Sequence, residues 1–291
     1  MKMKLAQRVV IGYYKTKLRT IAMVSPRKAA EQAFQIFCTP YSKGVKQKEP
    51  MVFHKAIRLE LVFEGMVTKG YQWKPERTNG QKLLIVHGFS SYSYKFEKYV
   101  LPLLKEGFEV MAFDAPAHGL SEGKMINALI YKRFLQQLEA KYGPINGFIA
   151  HSLGGLAVAL LAEDLPPQVP RKIVLIAPAT ETRSAIAGFY TMFRIKETVQ
   201  TAFEQLIEEM TGKSVDYFSV KRVVESTHLP ILWIHDTGDR ICPYKDTLSV
   251  QSLQLPHVRF LVTEGLGHNK IYRDKQVLSA VFDFFKAPSC F

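Results

Sequence analysis

A serine at the end of a buried apolar run has the clearest chemical potential in this chain. Residues 147–155 read GFIAHSLGG, so an apolar strand leads into Ser152 and two glycines open the helix that follows. On such a tight turn the hydroxyl is exposed beside helix N-terminal N–H groups, which suits a nucleophile. Ala150 stands where glycine is usual and is small enough to fit. The simpler alternative is a serine that only caps the helix.

Four further segments stand in an order that resembles the α/β-hydrolase family, and the resemblance runs from about Ala56 to the C-terminus. They are HGF at 87–89, DAPAHGLS at 114–121, HDTGDRICP at 235–243 and EGLGH at 264–268. They resemble the family's oxyanion loop, its Asp-x-Pro-Gly-x-Gly-x-Ser loop with Ala117 for one glycine, its acid loop and its histidine loop. The order serine, aspartate, histidine is that of the family.

The resemblance implies a catalytic triad of Ser152, Asp239 and His268. A serine hydroxyl is a poor nucleophile until a base takes its proton, and His268 would take that proton and return it to the leaving group. Asp239 would hold the imidazole tautomer and stabilise the imidazolium. The backbone N–H groups of Phe89 and Leu153 are the expected oxyanion donors.

The identity of the acid has alternatives within the same stretch of sequence. Asp239 stands a few residues after the predicted strand and four before Pro243, as in the family. Asp236 occupies a position where glycine is common in the family. Asp246 is a more remote alternative and is expected to cap a helix.

The elements around these segments predict the architecture. The predicted buried strands span 82–87, 109–113, 147–151, 172–177, 231–235 and 258–264. They alternate with helical patterns, which indicates a mostly parallel sheet with helices on both faces. Alternating apolar residues from Ile57 to Phe63, followed by Glu64-Gly65, predict an antiparallel hairpin at the N-terminal edge. The predicted fold is therefore α/β, of the α/β-hydrolase type.

Three parts of the chain are predicted. Residues 1–50 form a basic helical extension, and residues 51–291 form the hydrolase domain. A helical insertion at about 180–228 is far longer than the usual connection of about 2–6 residues, so it is expected to act as a lid. Its apolar spacing gives three candidate substrate-binding residues: Phe189, Tyr190 and Phe193.

The net charge of +13 is concentrated at the N-terminus. The first 50 residues contain eleven Lys or Arg and only Glu31 and Glu49 as acids. Such a segment suits an anionic membrane surface or a solvated helical face, and the second interpretation is the simpler. Nucleic acid is not expected as a partner.

The sequence predicts neither a metal nor a cofactor. No His, Asp, Glu or Cys cluster has ligand spacing, and no glycine-rich phosphate loop occurs. The separated cysteines Cys38, Cys242 and Cys290 predict no disulfide framework and hence a reducing cytoplasm, or a membrane-peripheral position if the basic segment binds lipid. The histidines near the predicted site are expected in structural positions without a catalytic role: His87, His118 and His151.

These features together predict a serine hydrolase. Its substrate is expected to be a small molecule with an apolar acyl or alkyl group, cleaved at an ester or related acyl bond through an acyl-enzyme. Acyl transfer and carbon–carbon bond hydrolysis use the same triad, so they stay open as alternatives. A non-catalytic binding protein on a hydrolase scaffold is the third hypothesis, and the presence of both serine and histidine disfavours it.

Overall fold

The structure is a computed structural model that describes residues 5–42 and 44–287, with side chains from residue 8 onward. Cys290 therefore lies outside the described residues. The chain divides into two compact units, a sheet unit of residues 40–180 and 219–291 and a helical unit of residues 1–39 and 181–218. The helical unit thus combines two stretches that the sequence predicts separately, the N-terminal extension and most of the insertion.

The α-helices are distributed over both units. In chain order they are α1 (Leu5–Val24), α2 (Pro26–Cys38), α3 (Met51–His54), α4 (Glu97–Lys105), α5 (Ala128–Tyr142), α6 (Leu153–Ala162), α7 (Thr182–Phe193), α8 (Glu197–Thr211), α9 (Val220–Ser226), α10 (Lys245–Gln251), α11 (Gly267–Lys270) and α12 (Lys275–Lys286). Helices α1, α2, α7 and α8 belong to the helical unit, and the others belong to the sheet unit. None of these helices is both long and apolar enough to cross a membrane.

One eight-stranded sheet forms the centre of the sheet unit. Its strands are β1 (Ile57–Phe63), β2 (Met66–Trp73), β3 (Lys82–Val86), β4 (Glu109–Phe113), β5 (Gly147–His151), β6 (Lys172–Ile176), β7 (Ile231–Asp236) and β8 (Val258–Thr263). Their spatial order is β1-β2-β4-β3-β5-β6-β7-β8. The pairs β1–β2 and β2–β4 are antiparallel, and the other pairs are parallel. This topology confirms the predicted fold class and its antiparallel edge.

The sheet is covered on both faces because its central strands are mostly apolar, and β5 and β6 are buried at every position. On one face Leu83 and Ile149 belong to an apolar cluster with Val100 of α4 and Val281 of α12. The opposite face packs against α5 and α6. There the Phe134 ring of α5 lies 5.4 Å from that of Phe63 on β1. The carboxyl ends of these parallel strands meet at one edge of the sheet. The loops that carry Ser152, Asp239 and His268 begin at that edge.

The helical unit is held by contacts of α2 with α8 and of α1 with α2 and α7. Ser25 separates α1 from α2, and its hydroxyl accepts the N–H of Lys28 at 3.2 Å, so it caps the second helix. Aromatic rings form the interior, where Phe37 of α2 lies 5.4 Å from Phe189 and 6.0 Å from Phe203. The unit therefore depends on segments that are distant in the sequence.

Candidate active site

The turn between β5 and α6 carries Ser152 in a backbone conformation that L-residues rarely adopt, with φ 54° and ψ −123°. Such strain persists only where the surroundings enforce it. Gly88 and Gly154 make the turn possible. A Cβ on Gly88 would lie 2.7 Å from the Ser152 Cβ, and one on Gly154 would lie 2.5 Å from the His87 carbonyl oxygen. The turn therefore needs both glycines so that the neighbouring loop can approach the serine.

Three side chains from separate loops form a continuous hydrogen-bonded chain. The Ser152 Oγ donates to His268 Nε2 at 3.0 Å, and the His268 Nδ1–H donates to Asp239 Oδ2 at 2.7 Å. All three residues are buried, with exposed fractions of 7%, 8% and 6% respectively. Burial excludes water that would otherwise compete for these bonds, so the imidazole is held in the tautomer that accepts from serine.

The other oxygen of Asp239 is also engaged. Its Oδ1 accepts the backbone N–H groups of Ile241 at 2.8 Å and Cys242 at 3.0 Å. The carboxylate is therefore fixed by its own loop on one side and faces His268 on the other. Of the carboxylates considered from the sequence, Asp239 is the one that bonds His268. Asp246 lies within the first turn of α10 and is not its cap, because the N-cap is Tyr244.

Asp236 connects the acid loop to the histidine loop. Its Oδ1 accepts the Gly238 N–H at 3.0 Å, and its Oδ2 accepts the Thr263 hydroxyl and the Leu266 N–H, each at 2.9 Å. Burial alone would raise the pKa of this carboxyl, but the N–H groups of Gly267 and Leu266 and the other donors lower it. A buried carboxylate thus ties together the two loops that carry Asp239 and His268.

His235 supports the same acid loop as a neutral imidazole. The Trp233 Nε1–H donates to His235 Nδ1 at 3.4 Å, which leaves the proton on Nε2 to be donated to the Cys242 carbonyl oxygen at 2.9 Å. Burial lowers the pKa of His235, so the ring stays uncharged beside Asp239.

The loop after β3 presents free backbone donors beside the serine. In the described part of the chain, the N–H groups of Phe89 and Leu153 donate no hydrogen bond to the protein. The loop is held by His118, whose Nε2 accepts the Ser90 N–H at 2.8 Å. Burial lowers the pKa of His118 to about 3, which keeps that nitrogen an acceptor. The two free amides therefore stand on a fixed backbone.

The 114–121 loop is fastened to the same place by His87. The His87 Nε2 accepts the Ala115 N–H at 3.0 Å, and the Nδ1–H donates to the Gly88 carbonyl at 2.8 Å. Burial lowers the pKa of His87 to about 4. Ala117 has a φ of 67° in the position where the family has glycine, so the loop keeps the glycine conformation with an alanine.

Two residues at the site were not predicted to contribute to it. The His151 Nε2–H donates to the His268 carbonyl at 3.1 Å, and its Nδ1 is buried with no partner among the residues that the structure describes. The Cys242 Sγ lies 3.9 Å from the Ser152 Oγ. Burial raises the pKa of the Cys242 thiol, so it stays protonated. A position next to the serine could have indicated His151, but nothing in the sequence indicates which side chain of the acid loop faces the serine.

The three aromatic candidates from the insertion lie within the helical unit. The Phe189 ring is 4.7 Å from Phe193 and 6.2 Å from Phe203, and Tyr190 is 5.6 Å from Phe203. Each is 8% exposed. That they contact a substrate stays a prediction. Across residues 5–42 and 44–287 no group of three or more His, Cys, Asp or Glu is arranged to hold a metal ion.

A mostly parallel sheet with a strained serine between a central strand and a helix defines the α/β-hydrolase fold. Comparisons with known proteins agree with this class. The family model described as serine aminopeptidase, S33, matches residues 78–219. The esterase Pf2001 of Pyrococcus furiosus has a structure with a TM-score of 0.62 and 21% identity, covering 85% of this chain and 98% of the esterase.

Two curated relatives are similar in sequence. An uncharacterized hydrolase, YugF, of Bacillus subtilis strain 168 is 33% identical over 103 residues, covering 33% of this chain and 36% of YugF. The putative esterase/lipase 2 of Mycoplasma pneumoniae is 20% identical over 239 residues, covering 69% of this chain and 87% of that protein. The chain thus spans about a third of the length of YugF. It has the α/β-hydrolase fold, and its residues 78–219 are similar to the serine aminopeptidase S33 family.

Proposed function

We propose that this protein is a serine hydrolase that cleaves an ester or a related acyl bond through an acyl-enzyme intermediate. The observation that carries the proposal is the buried hydrogen-bonded chain from Ser152 through His268 to Asp239, with distances of 3.0 Å and 2.7 Å. The order and burial of these groups are those that activate a serine hydroxyl. The likeness to hydrolases and esterases supports the same class of reaction.

The proposed reaction begins when His268 takes the Ser152 proton as the Oγ attacks the substrate carbonyl carbon. The carbonyl oxygen becomes an oxyanion, which accepts hydrogen bonds from the free N–H groups of Phe89 and Leu153. Asp239 stabilises the imidazolium. The imidazolium then gives its proton to the departing alcohol, which leaves an acyl-Ser152 ester.

The second half of the reaction regenerates the enzyme. A water molecule attacks the acyl carbon while His268 accepts its proton, and the tetrahedral intermediate again uses the two backbone donors. Collapse of that intermediate returns the proton to the Ser152 Oγ and releases the carboxylic acid. The neutral thiol of Cys242, with its raised pKa, does not compete for the substrate.

We propose a substrate with an apolar acyl or alkyl group. Three side chains of the sheet unit support an apolar substrate. The Cys242 Sγ lies 3.9 Å from the Ser152 Oγ, and Phe89 carries an aromatic ring on the residue whose N–H is a proposed oxyanion donor. The Tyr41 ring lies 6.1 Å from the Phe89 ring. Apolar surroundings favour alkyl groups over charged ones.

The test is hydrolysis of a series of p-nitrophenyl esters of increasing acyl length. The Ser152→Ala protein should lose at least about 10³-fold in kcat/KM, as removal of a triad member generally does. The matched control is Ser249→Ala, an exposed serine of α10, which should keep full activity. A fluorophosphonate should label the wild-type protein and not the Ser152→Ala variant. Equal hydrolysis by the wild type and Ser152→Ala would refute the proposal.

Other substrates and acceptors distinguish the alternative reactions. An added alcohol that accelerates nitrophenol release and becomes acylated indicates acyl transfer through the same intermediate. An aminoacyl p-nitroanilide tests the activity in the family model's description. Labelling by the fluorophosphonate together with turnover of none of these substrates would direct the search to carbon–carbon bonds, and absence of labelling would indicate a non-catalytic scaffold.

A further inference from the structure

Helix α1 exposes a stripe of apolar side chains, Val9, Tyr13, Met23 and Val24, which we call the α1 stripe. Their exposed fractions are 64%, 61%, 78% and 87%. They recur at intervals that bring them to one side of a helix, and the exposed Thr16 completes the series between Tyr13 and Met23. Large apolar groups that are this exposed and aligned on one helix indicate an interaction surface.

The remaining sides of α1 differ from the stripe. Leu18, on the opposite side, is only 3% exposed, so that side of the helix faces the protein. At 3.6 residues per turn, Arg8 and Arg19 fall together on one flank of the α1 stripe, and Lys17 falls on the other. The apolar stripe is therefore bordered by cations on both sides.

Helix α1 itself contains four Lys or Arg and no acidic residue. The first 30 residues contain eight Lys or Arg and no Asp or Glu. A helix with an exposed apolar stripe, cationic flanks and no acids has the composition of a segment that lies in the plane of a membrane interface. The cations attract anionic headgroups, while the apolar side chains and the Tyr13 ring enter the headgroup boundary.

We propose that the α1 stripe docks reversibly and flat on the surface of an anionic lipid bilayer. The helix of 20 residues is about 30 Å long, so it offers an extended line of contact. Its basic residues are spread from Arg8 to Arg19 and are not gathered at one end, which favours a position along the surface. The docking is a separate property from the chemistry at Ser152.

Two other occupants fit the same surface less well. A second copy of the chain, packed stripe to stripe, would bring the cationic flanks of both copies together with no carboxylate to neutralise them. Nucleic acid would use the cations but would leave the exposed Val9 and Met23 without an apolar partner. Charge complementarity therefore favours an anionic bilayer.

The test is co-sedimentation of the full-length protein with vesicles. Wild type should pellet with vesicles of equal parts phosphatidylcholine and phosphatidylglycerol, should stay in solution with phosphatidylcholine alone, and should be released by high salt. The Val9→Glu/Tyr13→Glu protein should bind at least about ten-fold more weakly, because charges replace the apolar contacts. Lys17→Glu/Arg19→Glu should weaken binding by roughly 25-fold or more, since each cation contributes about five-fold near such a surface.

Two control proteins test whether the loss of binding is specific to α1. Met210→Glu changes another exposed apolar residue of the helical unit, which is 58% exposed, and should leave binding unchanged. Lys98→Glu/Lys105→Glu makes the same change of net charge on α4 of the sheet unit and should have a smaller effect than Lys17→Glu/Arg19→Glu. Circular dichroism and ester hydrolysis in solution should be the same for all of these proteins.

The outcome that overturns the proposal is equal vesicle binding by wild type and Val9→Glu/Tyr13→Glu. A dimer in solution that this double variant dissociates would also overturn it, in favour of a second copy of the chain. Ser152→Ala should bind vesicles like wild type. Loss of catalysis and loss of docking are therefore measured separately.

Discussion

The two units of this chain differ in whether they bury carboxylates. In the sheet unit Asp114, Asp236 and Asp239 are buried, and their oxygens accept backbone N–H groups. In the helical unit the carboxylates of Asp216 and Glu209 are exposed and pair with arginines at the surface. Buried carboxylates must be fully bonded, because an unpaired charge there is very unfavourable, whereas exposed pairs contribute little to stability.

This difference indicates which substitutions each unit can tolerate. The loops of the sheet unit approach each other closely at the serine, where a single added methyl group at Gly88 would lie 2.7 Å from the Ser152 Cβ. The helical unit is held by rings and small side chains, including Ala29, Ala30 and Ala33, which are fully buried. Precise chemistry therefore depends on the first unit, and the second depends mainly on the volume that its side chains fill.

The largest expected effect distinguishes a buried carboxylate from an exposed one. Asp239→Asn should lower kcat by about 10⁴-fold, because an amide N–H facing His268 favours the wrong imidazole tautomer. Asp216→Asn removes a carboxylate of the helical unit whose side chain is 62% exposed, and should leave kcat unchanged. Steady-state hydrolysis of one p-nitrophenyl ester measures both. Similar losses in the two variants would remove the distinction between the units.

The next effect concerns the interior of the helical unit. Phe203 is fully buried, with ring centroids 5.7 Å from Phe34 and 5.6 Å from Tyr190. Phe203→Ala should lower the free energy of unfolding by about 3–5 kcal/mol, because it leaves a cavity among rings. Denaturation followed by far-ultraviolet circular dichroism measures this loss. Met192→Ala, at a side chain that is 48% exposed, is the control and should unfold like wild type.

Glycine substitutions test the precision of the loops. A Cβ on Gly88 would meet the Ser152 Cβ at 2.7 Å, so Gly88→Ala should displace the serine or the oxyanion loop. A displacement of about 1 Å at a reacting group lowers kcat/KM by about 10²-fold. Gly188→Ala is the matched change in α7, where an added Cβ meets nothing within 4 Å. Gly188→Ala should keep wild-type activity, and a Gly88→Ala protein with full activity would contradict the tight approach.

The smallest predicted effect is a pH dependence that originates in the sheet unit. All eight histidines belong to it, and burial lowers the pKa of His87 to about 4 and that of His118 to about 3, from 6.5. Below pH 6.5 the unfolded chain binds protons that the folded chain does not. The free energy of unfolding should therefore fall with decreasing pH, by up to about 1.4 kcal/mol per pH unit for each such histidine.

Both tryptophans, Trp73 and Trp233, also belong to the sheet unit, so their fluorescence reports its unfolding. Denaturant titrations at pH values from 7 to about 5 should give falling midpoints. A constant midpoint over this range would show that these histidines bind protons equally in the folded and unfolded chains.

The sheet could be predicted well because its signals are local. Strands β4 and β5 have the predicted bounds, and β3, β6, β7 and β8 differ by a single residue at one end. Continuous apolar runs between glycine-rich turns leave few alternatives. The order of motifs along the chain likewise pointed to Ser152, Asp239 and His268, which the structure brings within hydrogen-bonding distance.

Other features could not be predicted because they depend on contacts between distant segments. The sequence indicates that 1–50 and the insertion are helical, but not that α2 packs against α8, since amphipathic spacing does not specify a partner. The bond from His151 to the His268 carbonyl, and the approach of Cys242 to Ser152, arise from loop geometry. Residues 93–96 form a tighter 3-10 turn, so α4 begins only at Glu97.

The discontinuous composition of the helical unit also affects the order of events on the ribosome. Phe37 of α2 and its neighbour Phe189 of α7 are separated by 152 residues. At a synthesis rate of about 5–20 residues per second, the first two helices emerge roughly 8–30 s before the helices that complete their interior. For that interval the rings of α2 that pack against α7 and α8 have no native partner, while β1 to β6 are already available to pair. The nascent chain therefore carries an uncovered helix pair that is a natural target for chaperones during its synthesis.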